Sequence, residues 1–364
     1  KDGTALLGTG LEKASSKPPV AGAGEWTHLY ADPGNTACSR DQNVAADLSL
    51  QWFGRPGPER LLDRHHRSVS PLYKNGLLFI PGNERIFGVD GYNGTVLWET
   101  EVPESRRIAI MRDCGSMAVD DDFIYVASGR HCLALKVRTG EVDRRVSIPE
   151  KNLASSHEWG YVAKVGDFLI GSAVQKGGIR RQHGHEGIRE TYWDNRPPVC
   201  SEFLFAIDPK SGKAQWTYKP RQNGVLVNSS LAIDAGKVHF LESPLPADKG
   251  RLPYDKILAK SKGFIVTLDL ATGKPIRREQ LPAKSSVQNL YVVATKGIVA
   301  VVNSRNEKTV RYDVRAYDAE SGKLRWERIQ DNKLKPNGSH GEQDRHPVVL
   351  NDELYVEPMV YNLR

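Results

Sequence analysis

Apolar and polar residues alternate along five segments of the chain, and each segment is interrupted by the same turn signal. The alternation stops at Asp-x-x-x-Gly, or at a close variant of it, and then resumes. A period of two is typical of a β-strand, and glycine supplies the positive φ of a tight turn. Each segment therefore predicts a hairpin of two strands. The five segments are residues 86–103, 132–149, 204–220, 265–282 and 314–329.

A second pair of short alternating stretches precedes these hairpins, as in residues 70–80, 116–127 and 230–241. The repeating unit is thus four antiparallel strands, A to D, which is the size of one propeller blade. The turn glycines lie 46 to 72 residues apart, and the two longest spacings predict insertions at 176–200 and 243–262. We therefore predict an all-β fold, a β-propeller of four-stranded antiparallel blades, with about six blades encoded.

Three hairpins share the longer pattern Asp-x-x-x-Gly-x-x-x-Trp, which ends in Trp98, Trp216 and Trp326. Together with the opening WTHLYADPGNTACS (residues 26–39), this pattern resembles the PQQ-binding-like β-propeller repeats of quinoprotein dehydrogenases and outer-membrane assembly lipoproteins. The resemblance covers residues 25–364 and leaves 1–24 as an N-terminal linker or remnant. It implies that the repeat tryptophans pack between neighbouring blades, and that packing differs where Arg144 and Arg277 replace them.

The two ends of the repeat region are irregular. Residues 346–364 supply strands A, B and C of a sixth blade and stop before its glycine turn, whereas residues 48–54 have the pattern of an isolated strand D. Either the N-terminal strand closes the sixth blade and removes an open sheet edge, or the chain is part of a propeller of seven or eight blades. We favour the second interpretation, because a chain end ahead of a glycine turn is an unusual natural terminus.

Composition and charge argue against a nucleic-acid-binding protein and against a membrane-spanning one. Of the 364 residues 39% are hydrophobic, and the net charge is +7, with basic stretches at 176–189 and 249–262 that suit anions. No finger-like Cys/His spacing and no aromatic-rich RNA-binding strand occurs, so we expect no nucleic-acid partner. No apolar run approaches the ~18–20 residues of a membrane helix, so we expect no transmembrane segment.

The four cysteines, Cys38, Cys114, Cys132 and Cys200, are widely spaced. Without a CxxC or CxxCH motif, a c-type haem, a thioredoxin-like site and a zinc knuckle are all disfavoured. One or two disulfides would suit an exported protein, with three possible pairings. The first residues, Lys-Asp-Gly, do not have the pattern of a signal peptide, so we expect either that one has been removed or that the chain starts inside a longer polypeptide. The family resemblance implies a periplasmic or secreted location.

The connections from strand D of one blade to strand A of the next gather at one end of a propeller, around its central channel. In this chain all of these connections are polar, and they contain five of the ten histidines. Because successive connections circle the same axis, we expect their side chains to meet at the channel mouth. The connections are residues 63–67, 112–114, 156–159, 223–228, 286–288 and 340–346.

Three kinds of chemistry fit these residues. A divalent transition metal such as Zn, Mn or Fe suits imidazole and carboxylate ligands, and the metal candidates are His65, His66, His157 and His346. General-base catalysis on an anionic or saccharide ligand suits His157, Arg112 and His346, because arginine pairs with carboxylates. The third use is ligand binding alone, by Arg64, Arg67, Asp113, Glu158, Gln343 and Asp344. The alternative to all three is that polar loop residues only hydrogen-bond to one another.

The blade 3 insertion contains a second set of candidates. His183, His185 and Glu186 form an HxHE run that suits a metal if the loop folds over the mouth. Tyr192 and Trp193 suit stacking on a sugar ring. The alternative is an exposed loop pinned by a local aromatic cluster.

Several functions remain open from the sequence. The resemblance implies a quinone held between a tryptophan and a disulfide of adjacent cysteines, with an aspartate base and Ca²⁺, but no two cysteines are adjacent here and PQQ is not expected. The leading hypothesis is an extracytoplasmic propeller with a ligand or metal site at the channel mouth. As an enzyme it would be a metal-assisted lyase or hydrolase, or a redox enzyme. The alternatives are a non-catalytic scaffold for protein partners and a redox module of a larger quinoprotein-like chain.

Overall fold

The described strands are antiparallel and are arranged as six blades, in which strand A is innermost and strand D outermost. This computed structural model describes residues 5–7, 13–15, 20–45, 47–54, 60–61, 69–108, 110–149, 156–181, 197–260, 263–336 and 345–364, with the backbone alone at 5–7, 13–15, 111 and 259–260. The all-β fold and the propeller architecture predicted from the repeats are confirmed.

The first three blades each contain four strands. Ahead of them, β1 (Ala5–Leu7) and β2 (Lys13–Ser15) form a separate hairpin. Blade 1 contains β3 (Leu72–Lys74), β4 (Leu77–Gly82), β5 (Arg85–Asp90) and β6 (Val96–Glu101). Blade 2 contains β7 (Met117–Val119), β8 (Phe123–Ser128), β9 (His131–Lys136) and β10 (Val142–Ser147). Blade 3 contains β11 (His157–Val165), β12 (Phe168–Gln175), β13 (Cys200–Ile207) and β14 (Ala214–Tyr218).

The remaining blades follow the same order, with one bridging strand and one three-stranded blade. The bridge β15 (Val225–Val227) pairs with both β13 and β17, so blades 3 and 4 form one continuous sheet. Blade 4 contains β16 (Ala232–Asp234), β17 (Lys237–Ser243), β18 (Phe264–Asp269) and β19 (Pro275–Gln280). Blade 5 contains β20 (Val287–Thr295), β21 (Ile298–Asn306), β22 (Val310–Asp318) and β23 (Leu324–Asp331). Blade 6 contains β24 (Val348–Leu350), β25 (Glu353–Val356) and β26 (Met359–Asn362).

Helical structure in the described residues is confined to short turns in the connections. These are 3₁₀ turns at Ile110–Arg112, Arg221–Asn223 and Asn228–Ser230 and a π-helical turn at Asp255–Lys260. Within this part of the chain, none of the helices has the length and hydropathy needed to span a bilayer.

The predicted C–D turns form as the sequence indicates. In blade 1 the carboxylate of Asp90 accepts the backbone N–H of Tyr92 at 2.8 Å, and the N–H of Gly94 donates to the Asp90 carbonyl at 2.8 Å. An aspartate that accepts nearby backbone N–H groups stabilises a turn locally. All five turn glycines have φ between +66° and +74°, a region that glycine enters without steric cost.

One side chain of strand D lies on the C–D turn of the following blade. The indole of Trp98 packs against Gly140 of blade 2, and its Nε1 donates to the Val137 carbonyl at 2.9 Å. Trp216 packs in the same way against Gly273 of blade 4, and its Nε1 donates to the Leu270 carbonyl at 2.8 Å. Trp98 and Trp216 thus join neighbouring blades, as the family resemblance implies. Trp326 is half-buried and instead stacks on Tyr361 of blade 6 at 5.7 Å, with no hydrogen bond from its Nε1 among the described residues.

Arginine takes this position in blade 4. The Arg277 side chain covers Gly322 of blade 5, and its guanidinium donates to the Ala319 carbonyl at 2.8 Å. The donor and the acceptor positions therefore match those of the tryptophans, although the ring is replaced by a cation.

The N-terminal strand predicted at residues 48–54 is not formed. Residues 48–53 have no strand pairing, and Leu48, Leu50 and Phe53 are more than four-fifths exposed. Trp52 nevertheless covers Gly94 of blade 1, and its Nε1 donates to the Gly91 carbonyl at 3.0 Å. Trp52 therefore contacts blade 1 as a strand D tryptophan contacts the blade that follows it, although no strand forms around it.

Residues 26–37, here called the axial segment, run through the centre of the propeller. They hydrogen-bond to strand A of every described blade, within 3.2 Å in each case. The blade residues involved are, in order of blades 1 to 6, Tyr73, Val119, Lys164, Ile233, Ala294 and Val349. The innermost strands, which would otherwise line an open channel, are therefore tied to one another through a single stretch of chain.

Asn35 makes two buried side-chain contacts within the axial segment's network. Its side-chain amide donates to the carbonyls of Leu231 at 2.8 Å and Val292 at 3.0 Å, and so links blades 4 and 5. Its backbone has a φ of 62°, in the left-handed region that asparagine tolerates better than most residues.

We expect Asn35→Gly to lower the free energy of unfolding by about 2 kcal/mol, because two buried carbonyls lose their donor. The matched control is Asn351→Gly, at an exposed turn with a φ of 57°. Glycine accepts both backbone conformations, so the difference between the two variants isolates the Asn35 amide. Urea unfolding measures it, and equal losses in both variants would show that the axial contacts contribute little.

A second pair of substitutions tests the contact between blades. Gly140→Ala and Gly212→Ala meet the same backbone penalty of about 1 kcal/mol, because the φ angles are 70° and 69°. An added Cβ at Gly140 would lie 2.4 Å from the Trp98 ring, whereas no described atom lies within 4 Å at Gly212. We therefore expect Gly140→Ala to cost about 1–3 kcal/mol more than Gly212→Ala in urea unfolding. Similar costs would mean that the indole does not pack firmly on the turn.

Candidate functional site

The end of the propeller that carries the D–A connections and the B–C loops is here called the mouth face. The blade 4 insertion, residues 243–262, lies over this face. Its Tyr254 is buried with the hydroxyl 3.3 Å from Ser229, and the Arg251 guanidinium donates to the Gly178 carbonyl at 2.7 and 2.9 Å. The insertions of blades 3 and 4 therefore meet above the axis, which the spacing of the repeats could not indicate.

Arg112 connects opposite sides of the mouth. It ends the 3₁₀ turn between blades 1 and 2, is buried, and has Nη1 3.5 Å from Oδ1 of Asn289 in blade 5. The Asn289 amide in turn donates to the hydroxyl of Tyr291 at 2.9 Å. The backbone carbonyl of Arg112 accepts the N–H of Val199 at 2.7 Å. This arginine thus contacts residues of two distant blades.

His346 continues the same network on the side of blade 6. Its ring stacks on Tyr30 of the axial segment with centroids 3.6 Å apart, and meets the edge of Tyr291 at 4.7 Å. Both ring nitrogens are buried, and neither makes a hydrogen bond of good geometry among the described residues, although the Pro347 backbone lies close enough to favour the charged ring slightly. Burial lowers the pKa of His346 to about 3, so the imidazole is neutral at physiological pH.

Asp113 belongs to a buried ion pair. Its Oδ1 is 3.2 Å from Nη1 of Arg107, and the two side chains are 2% and 1% exposed. Arg107 also donates to the Trp159 carbonyl at 2.5 Å, and the Cys114 thiol donates to Asp113 at 3.3 Å. Burial, followed by the Asp113 charge, raises the pKa of Cys114 well above its usual range. Both charges of the pair are therefore compensated inside the protein.

His157 and Glu158 begin β11 and point in opposite directions, as successive strand residues do. Nε2 of His157 is 3.0 Å from Glu202, and Nδ1 is 2.9 Å from the Ser156 hydroxyl. The hydrogen bond from His157 holds the pKa of Glu202 below its usual range. Glu158 instead pairs with Arg181 at 2.5 Å. The two residues therefore have separate partners and do not converge on one ligand position.

The other predicted site residues lie outside the described residues. These are Arg64, His65, His66, Arg67, Gln343 and Asp344, together with His183, His185, Glu186, Tyr192 and Trp193 of the blade 3 insertion. Their use in ligand or metal binding stays a prediction. In the part of the chain that the structure describes, no three His, Cys, Asp or Glu side chains are grouped closely enough to hold a metal ion.

The cysteines are not paired. Cys38, Cys114, Cys132 and Cys200 are all free thiols, so the disulfides considered from the sequence are not formed. Cys114, Cys132 and Cys200 are buried in different blades or connections and act as small core residues.

The axis between the axial segment and the mouth contains a small cavity. Its walls include Tyr30, Asp113, Cys114 and Asn228, and its volume is about 10 Å³. That volume is close to the minimum for one water molecule. Asp113 Oδ2 and Asn228 Nδ2 have no hydrogen-bond partner among the described residues, so a water molecule fits this position chemically.

The repeat pattern and turns match a known family over nearly the whole chain. A family model described as "Outer membrane protein assembly factor BamB" matches residues 2–178 and 201–357. The chain belongs to this family of PQQ-like β-propellers.

Individual relatives of this PQQ-like propeller are distant. The quinohemoprotein alcohol dehydrogenase ADH IIB of Pseudomonas putida is 33% identical over 128 residues, which are 34% of this chain and 17% of that protein. The structure of quinohemoprotein alcohol dehydrogenase ADHIIG from Pseudomonas putida HK5 has a TM-score of 0.52 at 15% identity, over 84% of this chain and 48% of that chain. BamB from Moraxella catarrhalis has a TM-score of 0.45 at 14% identity, over 79% and 70%. The chain thus covers less than half of the length of these two dehydrogenases. At these identities, the structural likeness shows the fold alone.

The residues at the axis do not suit a quinone. A pocket for a ligand of that size has a volume of roughly 300 Å³ or more, whereas the cavity between the axial segment and the mouth measures about 10 Å³. The adjacent cysteines that the resemblance implies for quinone stacking are also missing from the sequence. We therefore derive no reaction through PQQ at this position of the PQQ-like propeller.

His346 is one of three histidines in the described part of the chain whose pKa burial lowers to about 3, beside His28 and His239, and each of them makes stability depend on pH. The pKa of His346 is about 3 in the folded chain against 6.5 for an ordinary histidine, so the unfolded chain binds a proton that the folded chain does not. Stability therefore falls as the pH is lowered from about 6.5 towards 3. His346→Phe keeps a ring against Tyr30 and removes the titration, and we expect its urea midpoint to drop less between about pH 7.5 and about pH 5 than that of the wild type.

The control is His131→Phe: burial lowers the pKa of His131 as well, but by less than that of His346, so its removal changes this drop less. If the urea midpoint of His346→Phe dropped as much between these two pH values as that of the wild type, the neutral imidazole of His346 would be contradicted.

Proposed function

We propose that this chain is a non-catalytic interaction propeller of an extracytoplasmic compartment, and that its partners are proteins. The observation that supports this function is the axial segment, which hydrogen-bonds to strand A of all six described blades. Enzymes built on barrels and propellers bind substrates in a central cavity. Here the corresponding space is filled by the chain's own backbone, which leaves the two faces as the available surface.

The electrostatics of the mouth support the same function. Asp113 and Glu158, two of the acids predicted to bind a ligand, are compensated by Arg107 and Arg181 in buried pairs. Removing one partner of such a pair typically costs about 3–5 kcal/mol, because the other charge stays buried and unpaired. A substrate that engaged either acid would have to break an internal pair first. These side chains are better suited to fixing the connections than to chemistry.

Family membership supports both the partner class and the location. The matching family model is named for an outer-membrane protein assembly factor, a role that consists of binding other proteins. The dehydrogenase relatives point to a redox function, but the cavity that the described residues enclose at the axis, about 10 Å³, is too small for their cofactor. We therefore place the chain with the scaffold members, in the periplasm or outside the cell.

The test is site-specific photo-crosslinking in cells that produce the chain. A photoreactive residue replaces Lys249 on the mouth face, Lys210 on the opposite face, and Arg145 on an outer strand, all of which are exposed. We expect a discrete protein adduct from at least one face and none from Arg145. Equal labelling at all three positions, or none at any, would overturn the interaction function.

A second candidate function is the metal site predicted from the sequence, and one observation favours it. His346 presents a neutral imidazole whose nitrogens make no hydrogen bond of good geometry among the described residues, and neutral imidazole is the form that ligates metals. Titration of the purified chain with Zn²⁺ and Mn²⁺, followed by calorimetry, separates the two functions. Binding of one ion per chain that is lost in His346→Phe would favour the metal site over the scaffold.

A further inference from the structure

The interface between blades 2 and 3 differs from the other described interfaces. At the turn glycines of blades 1, 2, 4 and 5, a tryptophan or arginine from another segment lies within 2.6 Å of where a Cβ would stand. At Gly212 of blade 3 no described atom lies within 4 Å of that point. The turn has the same geometry, with a φ of 69°, but its cover is missing.

Gly212 is uncovered because of the conformation of Arg144, which occupies the position of the repeat tryptophan in blade 2. Its guanidinium lies 4.9 Å from the centroid of Phe123, donates to the Pro209 carbonyl at 2.9 Å and pairs with Asp143 at 2.6 Å. The Pro209 contact crosses to blade 3 and is equivalent to the hydrogen bonds that Trp98, Trp216 and Arg277 make three residues ahead of their turn glycines. Arg144 therefore reaches the blade 3 turn without covering Gly212. Arg277 at the equivalent position of blade 4 instead extends over its glycine.

Next to this turn, a groove of about 860 Å³ lies between the two blades, and Pro209 and Lys210 of the Gly212 turn are part of its lining. It lies on the turn face, which is the end of the propeller that carries the A–B and C–D turns. Its apolar walls are formed by Phe123 and Phe168, which are half-buried. The volume lies within the range of about 300–1,000 Å³ that is typical of ligand pockets, and it exceeds what one side chain would fill.

Charged residues surround the apolar walls. Lys164 pairs with Asp120 at 3.6 Å, so these two largely compensate each other. Asp122 and Asp167 are exposed on the rim and make no ion pair among the described residues, whereas Lys210 is the one unpaired lysine of the lining. The lining contains four aspartates and three cations, an acidic excess in a chain whose net charge is +7.

We infer that this groove is a docking site for an extended segment of a partner protein, which places an aromatic side chain on Gly212 and a lysine or arginine beside Asp122 or Asp167. An aromatic ring is what the same turn holds at Gly94, Gly140 and Gly273. Buried aromatic anchors next to rim charges are also the usual composition of strong interface contacts. This inference rests on the proposed interaction function and adds the surface and the chemistry of the partner.

The key variant is Arg144→Trp, which supplies the ring that the repeat carries elsewhere and fills the groove. Arg277→Trp is the matched control, because it makes the same substitution and the same charge change at an interface that is already covered. Asp122→Lys with Asp167→Lys is a second, exposed variant that reverses the rim charge without entering the core.

The probe is a random dodecapeptide phage library selected on the purified wild-type chain. We expect selected peptides to share an aromatic residue next to lysine or arginine. In fluorescence anisotropy they should bind Arg144→Trp about tenfold more weakly or worse, bind the rim variant about threefold to tenfold more weakly, and bind Arg277→Trp as they bind the wild type.

Peptides that bind Arg144→Trp and Arg277→Trp equally well, or that carry acidic residues instead of basic ones, would overturn the docking site. That result leaves the interaction function standing if the photoreactive residue at Lys249 still forms a partner adduct on the mouth face. Conversely, adducts at neither face would end the interaction function whatever the peptides show.

Discussion

The fold depends on the hydrogen bonds between the axial segment and the innermost strands. Strand A of a propeller blade has only one strand neighbour, so its inner edge would present unpaired N–H and C=O groups to the channel. Residues 26–37 satisfy part of that edge in every described blade, from Tyr73 in blade 1 to Val349 in blade 6. Among the described residues, the same contacts occupy the channel. The hydrogen bonds that satisfy the inner strand edges are therefore also the ones that fill the axis.

The polar mouth is a consequence of this closure. Connections that converge on a filled axis are packed against each other, and buried polar groups must find partners or pay a desolvation cost. Arg112 reaches Asn289 across the axis, and Arg107 neutralises Asp113. A convergence of histidine, arginine and acid in the sequence thus has two physical explanations, a ligand site and an internal network. Among the described residues the contacts are those of a network.

The repeats were predictable because their determinants are local. Asp90 and Gly94 fix a turn within five residues, and alternation fixes the faces of the flanking strands. The axial segment was not predictable, because its partners lie as far as 313 residues away along the chain, from Thr36 to Val349. The insertion over the mouth was recognised as an insertion, but its position depends on contacts such as that of Arg251 with Gly178, which no spacing encodes. Arg144 and Arg277 were both expected to change the packing, yet only the structure separates the one that covers its glycine from the one that does not.

Because of the bridging strand β15, the interfaces between neighbouring blades differ in how firmly they are held together. Backbone pairing through β15 joins blades 3 and 4 into one sheet. Blades 1 and 2 are instead joined by side-chain packing, by side-chain hydrogen bonds such as those of Trp98 and Thr100 to the blade 2 turn, and by the axial segment. Under bending or pulling, backbone ladders yield together and side-chain contacts yield one at a time. Deformation of the ring should therefore concentrate at the joints outside the blade 3–4 unit, and that unit should turn as a rigid body.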